Sequence, residues 1–293
     1  MDIRVLRYFL EVVKLGTITK AANALHITQP TLSRQLMDLE EEVGTKLLHR
    51  GKRQVTLTDS GVLYHQRVTE IVTLLDKTKT DLLEQNEAMA GNIVIGCVET
   101  RVSILLADVI NDFHKNYPKV TYELYTADGD DIREKLDRGT LDFGLLIEPV
   151  ETARYDFVKL PIEDEWCIIC RKDDPLGDKE LILAEDLVGR DLMISRRHIV
   201  VNELEQWLGI RDKQLKVIGV QNLLSNSLLL VEKGEAIIVT VRGAYELRPK
   251  ENLRCISIHP RRTSHHVLAW KKNRKFPSNV RKFMEHIETM VQE

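Results

Sequence analysis

No apolar run in this sequence approaches the twenty or so consecutive residues that span a bilayer, so no membrane-spanning helix is expected. Cysteine is scarce. The four present, Cys97, Cys167, Cys170 and Cys255, are too few for a disulfide framework in 293 residues. Neither charge is in large excess, since 42 Lys and Arg against 45 Asp and Glu leave a net charge of −3. A general polycation is excluded, and any nucleic-acid binding needs its positive charge gathered locally. There is no G-x-S-x-G, no P-loop and no G-x-G-x-x-G, so catalysis has neither a nucleophile nor a cofactor cradle to work with. No catalytic residue, metal site or cofactor is expected. The N-terminus, MDIRVLRYFLEVVKLG, scatters charges where a secretory signal needs an apolar core, and a cytoplasmic protein is expected.

What is present begins with enough apolar material, 43% of residues, for ordinary cores in two or three domains. Ile3, Leu6, Phe9, Leu10 and Val13 recur at helical spacing. Gly16 ends that helix and Thr17 can cap the next, at 18–26, where Ala21, Ala22 and Leu25 share a side. Thr28 then precedes Pro30, which suits a first helical turn because it has no amide to lose. A third helix runs over 29–42 with Leu32, Leu36, Leu39 and Val43 on one stripe. Pro30, Arg34 and Met37 point the other way, flanked by Thr31, Ser33 and Asp38.

Two helices joined by a tight turn, the second with a polar edge at its start, match the geometry that lays a helix in the major groove. Arg34 can pair with guanine, Gln29 can bridge adenine, and the hydroxyls of Thr31 and Ser33 serve either. Many helical hairpins share this spacing. The following HRGKRQVTLT reads as a small basic hairpin, or wing. Arg50, Lys52 and Arg53 would meet phosphates there and release counterions. Taken alone it reads rather as a solvated basic turn.

The run GTITKAANALHITQPTLSRQLMDLEEEVGTKLLHR followed by VTLTDSG resembles the LysR-type transcriptional regulators. It carries the AA-x-x-L helix, the QP-x-x-SRQ recognition helix, the LE-x-x-x-G-x-x-L step and LT-x-x-G. Leu48 stands where Phe is usual, and Asp59-Ser60 where Glu-Ala is common. The resemblance implies sequence-specific binding to double-stranded DNA through Gln29, Pro30, Thr31, Ser33, Arg34, Arg50, Lys52 and Arg53.

Residues 59–88 read as one helix of about 45 Å. Tyr64, Val68, Ile71, Leu75, Thr78 and Leu82 follow a coiled-coil spacing. Such a helix either lies on its own domain or pairs with a second chain. The resemblance implies pairing, as a homodimer or homotetramer.

From Gly91 the texture changes to strands and helices in alternation: NIVIGCV, a helix at 102–116, VTYELYT, GDDIREKLDRG and LDFGLLIE, then EWCIICRKDDP, DLMISR, KVIGVQ and AIIVTV. Helices are expected between them at 200–209 and 223–234, and last at 277–291. This order implies parallel sheet covered by helices, with ligands bound past the strand ends. By resemblance, the fold is a winged helix-turn-helix domain (1–58), all α apart from its wing, a linker helix (59–90), and an α/β two-lobe effector domain (91–293) similar to periplasmic solute-binding proteins. Lobe I is expected at 91–161 and 267–293, and lobe II at 162–266. YP-x-V at 117–120, G-x-LDFGLL at 139–146 and LVEKGEAIIV at 230–239 carry this part, with Glu235-Ala236 in place of a Gly-containing step.

Effector contacts are expected at Glu99, Thr100, Arg101, Ser103, Thr126, Glu148, Ser195, Arg196, Asn222 and Thr240. Thr100 and Ser103, at a helix start, suit a carboxylate. The mixed charge, Arg197 included, fits an organic acid or an amino-acid-like zwitterion. Cys167 and Cys170 face opposite sides of a strand and cannot form one ligand pair. His265-His266, after Arg261-Arg262, reads as a solvated hinge. Two other readings remain: a solute-binding protein, disfavoured by the N-terminal domain, and an α/β enzyme with an accessory helical domain, which lacks a catalytic motif.

Overall fold

The computed structural model describes residues 2–51, 54–84, 89–196, 206–207, 209 and 215–292. Lys52, Arg53, Arg197 and most of the helix expected at 200–209 fall outside them. The chain divides into Met1–Leu83 and Glu84–Glu293.

The first unit packs α1 (Ile3–Leu15), α2 (Ile18–Ala24) and α3 (Gln29–Val43) around Val5, Leu6, Phe9, Val12, Ala21, Ala22, Leu32, Leu36 and Leu39. The caps fall where the residue chemistry puts them. Thr17 accepts from the Lys20 amide at 3.2 Å, and Thr28 from the Thr31 amide at 3.3 Å. Gly16 and Gly44 end their helices at φ 70° and 78°, a left-handed conformation cheap only for residues like glycine. β1 (Leu48–Arg50) and β2 (Val55–Leu57) pair antiparallel as a hairpin.

α4 (Asp59–Glu84) follows. Tyr64 meets the Phe9 ring edge-on at 5.2 Å, and Val68 and Val72 are buried in the same core. The expected seam is therefore divided: its first two members cover this unit's own core. Ile71 stays 50% exposed, and Val62, Leu63 and Leu74 are exposed with it. A straight helix drifts relative to a seven-residue repeat, so one sequence period can serve two faces.

The second unit holds β3 (Gly91–Cys97), α5 (Val102–Asn116), β4 (Val120–Thr126), α6 (Gly129–Asp137), β5 (Phe143–Ile147), β6 (Tyr155–Arg171), β7 (Leu181–Ile182), α7 (Ala184–Leu187), β8 (Asp191–Ser195), β9 (Lys216–Gln221), α8 (Leu224–Glu232), β10 (Ile237–Val241), α9 (Arg242–Glu246), β11 (Leu253–Ile258), β12 (Thr263–Lys271) and α10 (Ser278–Gln292). Sheet order is β4-β3-β5-β12-β6-β10-β8-β9, with β11 beside β6 and β7 beside β11. Pairs β3/β4, β3/β5, β8/β9 and β8/β10 are parallel, as the alternating pattern requires. β6 and β12 run antiparallel to each other and to their other sheet neighbours.

β6 belongs to both lobes. Tyr155 to Glu165 pair with β12, whereas Trp166 to Ile169 pair with β10. The sheets thus change over at 165/166 and 262/263, displaced from the expected 161/162 and 266/267. The strand read from Glu165 in fact begins at Tyr155, and β11 and β12 have no counterpart in the sequence reading. His265-His266 is no solvated hinge. β12 carries both residues across a register shift, and His266 is fully buried.

Candidate nucleic-acid interface and effector cavity

Because α3 turns its leucines inward, its N-terminal edge is left outside. Gln29, Pro30, Thr31, Arg34 and Met37 are exposed there. The Thr28 and Thr31 hydroxyls lie 2.7 Å apart, which steadies the first turn.

Ser33 and Arg50 have a different situation. Arg50 Nη1 donates to Ser33 Oγ at 3.2 Å and Nη2 to Glu40 Oε2 at 3.1 Å. Glu40 is a buried carboxylate on α3. Its Oε1 accepts the amides of Leu47 at 2.8 Å and Leu48 at 3.0 Å, and Lys46 Nζ lies 3.2 Å from Oε2. Burial pushes the Glu40 pKa up, but these amides and cations outweigh it and hold it below the usual carboxylate range. Arg50 is thus tied to its own domain, not free as a wing cation is expected to be. Nothing in the sequence marks Glu40 as the partner, because a Glu within a run of three on a helix reads as solvated.

In the second unit a cavity of about 300 Å³ opens where the two lobes' sheets meet. Thr100, Glu99 and Glu148 line it from the first lobe, and Ser195, Asn222 and Thr240 from the second. Arg101, Ser103, Thr126 and Arg196 do not. Ser103 Oγ donates to the Val98 carbonyl at 3.1 Å. Thr126 is the last residue of its strand, and the lining passes to Ala127, Asp128 and Gly129 just beyond it.

Most of the expected ionic contacts are spent between the lobes. Arg101 forks onto Glu246 at 2.8 and 2.9 Å. Glu99 pairs with Arg248, and Arg196 with Asp128 and Asp131. The Asp128 carboxylate would be raised by burial, but Arg196 and the amides it caps hold it below its ordinary value.

Thr100 is buried and makes no helix cap, since α5 starts at Val102 without a side-chain cap. Its Oγ1 lies 2.6 Å from His266 Nε2, and His266 Nδ1 lies 3.2 Å from the Ile162 carbonyl oxygen. A carbonyl only accepts, so Nδ1 carries the proton. In the neutral imidazole Nε2 then accepts from Thr100, which commits that hydroxyl proton and counters the expectation that it serves a carboxylate.

Asp164 Oδ2 sits 3.4 Å from the same Nε2, and Oδ1 accepts the Gly243 amide at 2.9 Å. A Cβ on Gly243 would come within 2.3 Å of that carboxylate, so α9 approaches β6 only because residue 243 is glycine. Burial raises Asp164 and lowers His266, each toward its neutral form.

The matches to known proteins decide the family. Residues 3–62 match the model of the bacterial regulatory helix-turn-helix protein of the lysR family, and 86–292 match the LysR substrate binding domain. This chain is a LysR-type regulator. It is a DNA-binding transcription regulator with an effector-binding domain. It is 31% identical over 278 residues to the DNA-binding transcriptional dual regulator OxyR of Escherichia coli K12, covering 90% of this chain and 88% of that protein. It is 29% identical over 222 residues to the regulator YtlI of Bacillus subtilis 168, covering 74% and 71%. The fold matches full-length CbnR complexed with its target DNA, with TM-score 0.75, 21% identity and 99% of each chain covered.

In this LysR-type regulator, sequence reasoning missed the cavity contributions of Trp166, Gln221 and the segment Arg262 to His265. Trp166 and Gln221 lie on strands already read from the sequence, and period-two alternation along them could have shown which face they present. The segment at 262–265 gave no signal, because its position depends on β12 crossing between lobes.

Proposed function

We propose that this regulator reads base edges with Gln29, Pro30, Thr31 and Arg34. Ser33 and Arg50 brace the recognition helix against the hairpin, and Lys52 and Arg53 engage phosphates. A small organic acid or amino-acid-like effector occupies the cavity between Thr100, Glu148, Ser195, Asn222 and Thr240. Two chains pair through the exposed apolar side of α4, and the protein acts in the cytoplasm, where its DNA is. Among the described residues no helix is long and apolar enough to cross a membrane.

The observation that carries the DNA reading is the exposed Arg34 edge on a helix whose opposite side buries Leu32, Leu36 and Leu39. For the effector, it is the two-lobe cavity with hydroxyls on both walls and the Gln221 and Asn222 amides on the second. A ligand touching both lobes favours one arrangement of them by its differential affinity.

The deciding experiment is a gel shift and footprint on the DNA upstream of its own gene, paired with a thermal-shift screen of carboxylic acids and amino acids. Two protected half-sites a helical turn or a multiple apart, and a ligand that raises the melting temperature, are expected. No protection, or stabilisation only by ligands that leave Ser195→Ala and the parent equally responsive, overturns the reading.

A further inference from the structure

The four thiols have unequal surroundings. Cys97 is buried in the first lobe and donates to the Val98 carbonyl at 3.3 Å, and burial pushes its pKa up to about 11. Cys170 faces the core that contains Ile168, Leu192 and Val239, and burial pushes it likewise to about 11. Both are inert packing thiols.

Cys167 and Cys255 differ because the sheet brings them together. In the antiparallel pair β6/β11, Cys167 lies opposite Ser257, and Ile169 opposite Cys255. Side chains alternate along a strand, so these four share one face, and the two cysteines are diagonal neighbours on it. Arg242, the first residue of α9, stands beside both. Its Nη2 donates to Ser257 Oγ at 2.8 Å, and its Nε lies 3.5 Å from Glu165.

The two sulfurs are not equivalent. Cys167 is fully buried, whereas Cys255 is partly exposed. Donation from Cys167, and then the Arg242 charge, hold the Cys255 thiol below its ordinary pKa, while burial raises Cys167 well above it. A partly exposed thiol beside a guanidinium, with a fully buried thiol as its diagonal neighbour, has the arrangement of an attacking and a resolving cysteine.

We infer that Cys167 and Cys255 form a redox-active dithiol that a hydroperoxide closes to a disulfide within the second lobe. The Cys255 thiolate attacks a peroxide oxygen and the O–O bond breaks. The departing alkoxide, or hydroxide, takes up a proton, leaving a sulfenic acid on Cys255. The Cys167 sulfur then attacks Cys255 Sγ and the S–S bond forms. The sulfenic oxygen leaves as water with the Cys167 proton. Two thiols and one hydroperoxide give one disulfide, one alcohol or water, and one water.

The test treats the folded full-length protein with hydrogen peroxide, blocks remaining thiols with iodoacetamide, and maps peptides without reduction. Loss of two of the four thiols, a linked peptide pair carrying Cys167 and Cys255, and recovery with dithiothreitol are expected. Cys167→Ser should stop at the sulfenic acid, trapped by dimedone on Cys255. Cys255→Ser should leave the other thiols intact. Survival of all four thiols in the parent protein, or linkage through Cys97 or Cys170, overturns the inference without any variant having to fold.

Discussion

Arg50 in the hairpin and Glu40 in the recognition helix form an ion pair at 3.1 Å in which the carboxylate side chain is only 2% exposed. The same carboxylate accepts the amides of Leu47 and Leu48. α3 and the strand beside it are therefore fixed to each other by one buried group. Glu40→Ala should cost about 2–4 kcal/mol, because it leaves two amides and a guanidinium without their acceptor. Calorimetry of the N-terminal unit's transition measures it. The Glu40 pKa is below its unfolded value of about 4.3. Its contribution is thus complete above that pH and is lost as pH falls through the folded value. Glu40→Gln should flatten the acid side of the stability profile, and a profile that keeps its parental steepness there would assign the acid sensitivity elsewhere.

Arg34→Ala should weaken binding to the specific site by about 1–3 kcal/mol and relax discrimination at one base pair. Competition gel shifts against random DNA check this. Equal loss on both DNAs would place Arg34 on phosphate.

Lys52 and Arg50 should separate. Lys52→Ala should lower the salt dependence of binding by about one counterion on all sequences alike. Arg50→Ala should act chiefly through stability, by releasing Glu40. Salt titrations and melts of the two variants give the comparison, and an identical pattern in both would remove the distinction.

Ile71→Lys with Leu74→Lys places two charges on the exposed side of α4 while sparing Tyr64, Val68 and Val72 in the core. Light scattering should show a lower oligomeric order, and half-site binding should fall with it. A monomer that still binds the full site would show that pairing uses another surface.

Thr100→Val keeps the shape but deprives His266 Nε2 of its donor. With both groups buried, the second unit should lose about 1–3 kcal/mol even without ligand. Unfolding followed by tryptophan fluorescence reports it, since Trp166 and Trp270 both lie in that unit. An unchanged melt would mean that the hydroxyl serves only the cavity.

The helices of the first unit were legible because their signals are local. Thr17 and Thr28 cap their own amides, Gly16 and Gly44 supply left-handed ends, and the leucine stripe of α3 follows from 3.6-residue periodicity. The parallel strands of the second unit were legible from their apolar runs. β12 was not. TSHHVLAWK opens with polar residues and two histidines, and only its central place between β5 and β6 makes it a buried strand.

The sequence by itself determined which residues form the exposed N-terminal edge of α3, where the family's motifs lie, and several of the strand ends that approach the cavity. Each depends on contacts within a few positions of the chain. Tertiary structure alone decided the roles of the charged groups. Among the charged residues expected at the effector site, Glu99 lines the cavity while Arg101 and Arg196 do not, and these three pair with Arg248, Glu246 and Asp128 respectively between the lobes. It likewise joined Thr100 to His266, 166 positions apart, and Cys167 to Cys255. The reason is physical: burial makes an unpaired polar group costly, which favours partners for the buried Thr100 and Asp128, and the fold, not the neighbouring sequence, brings those partners within reach.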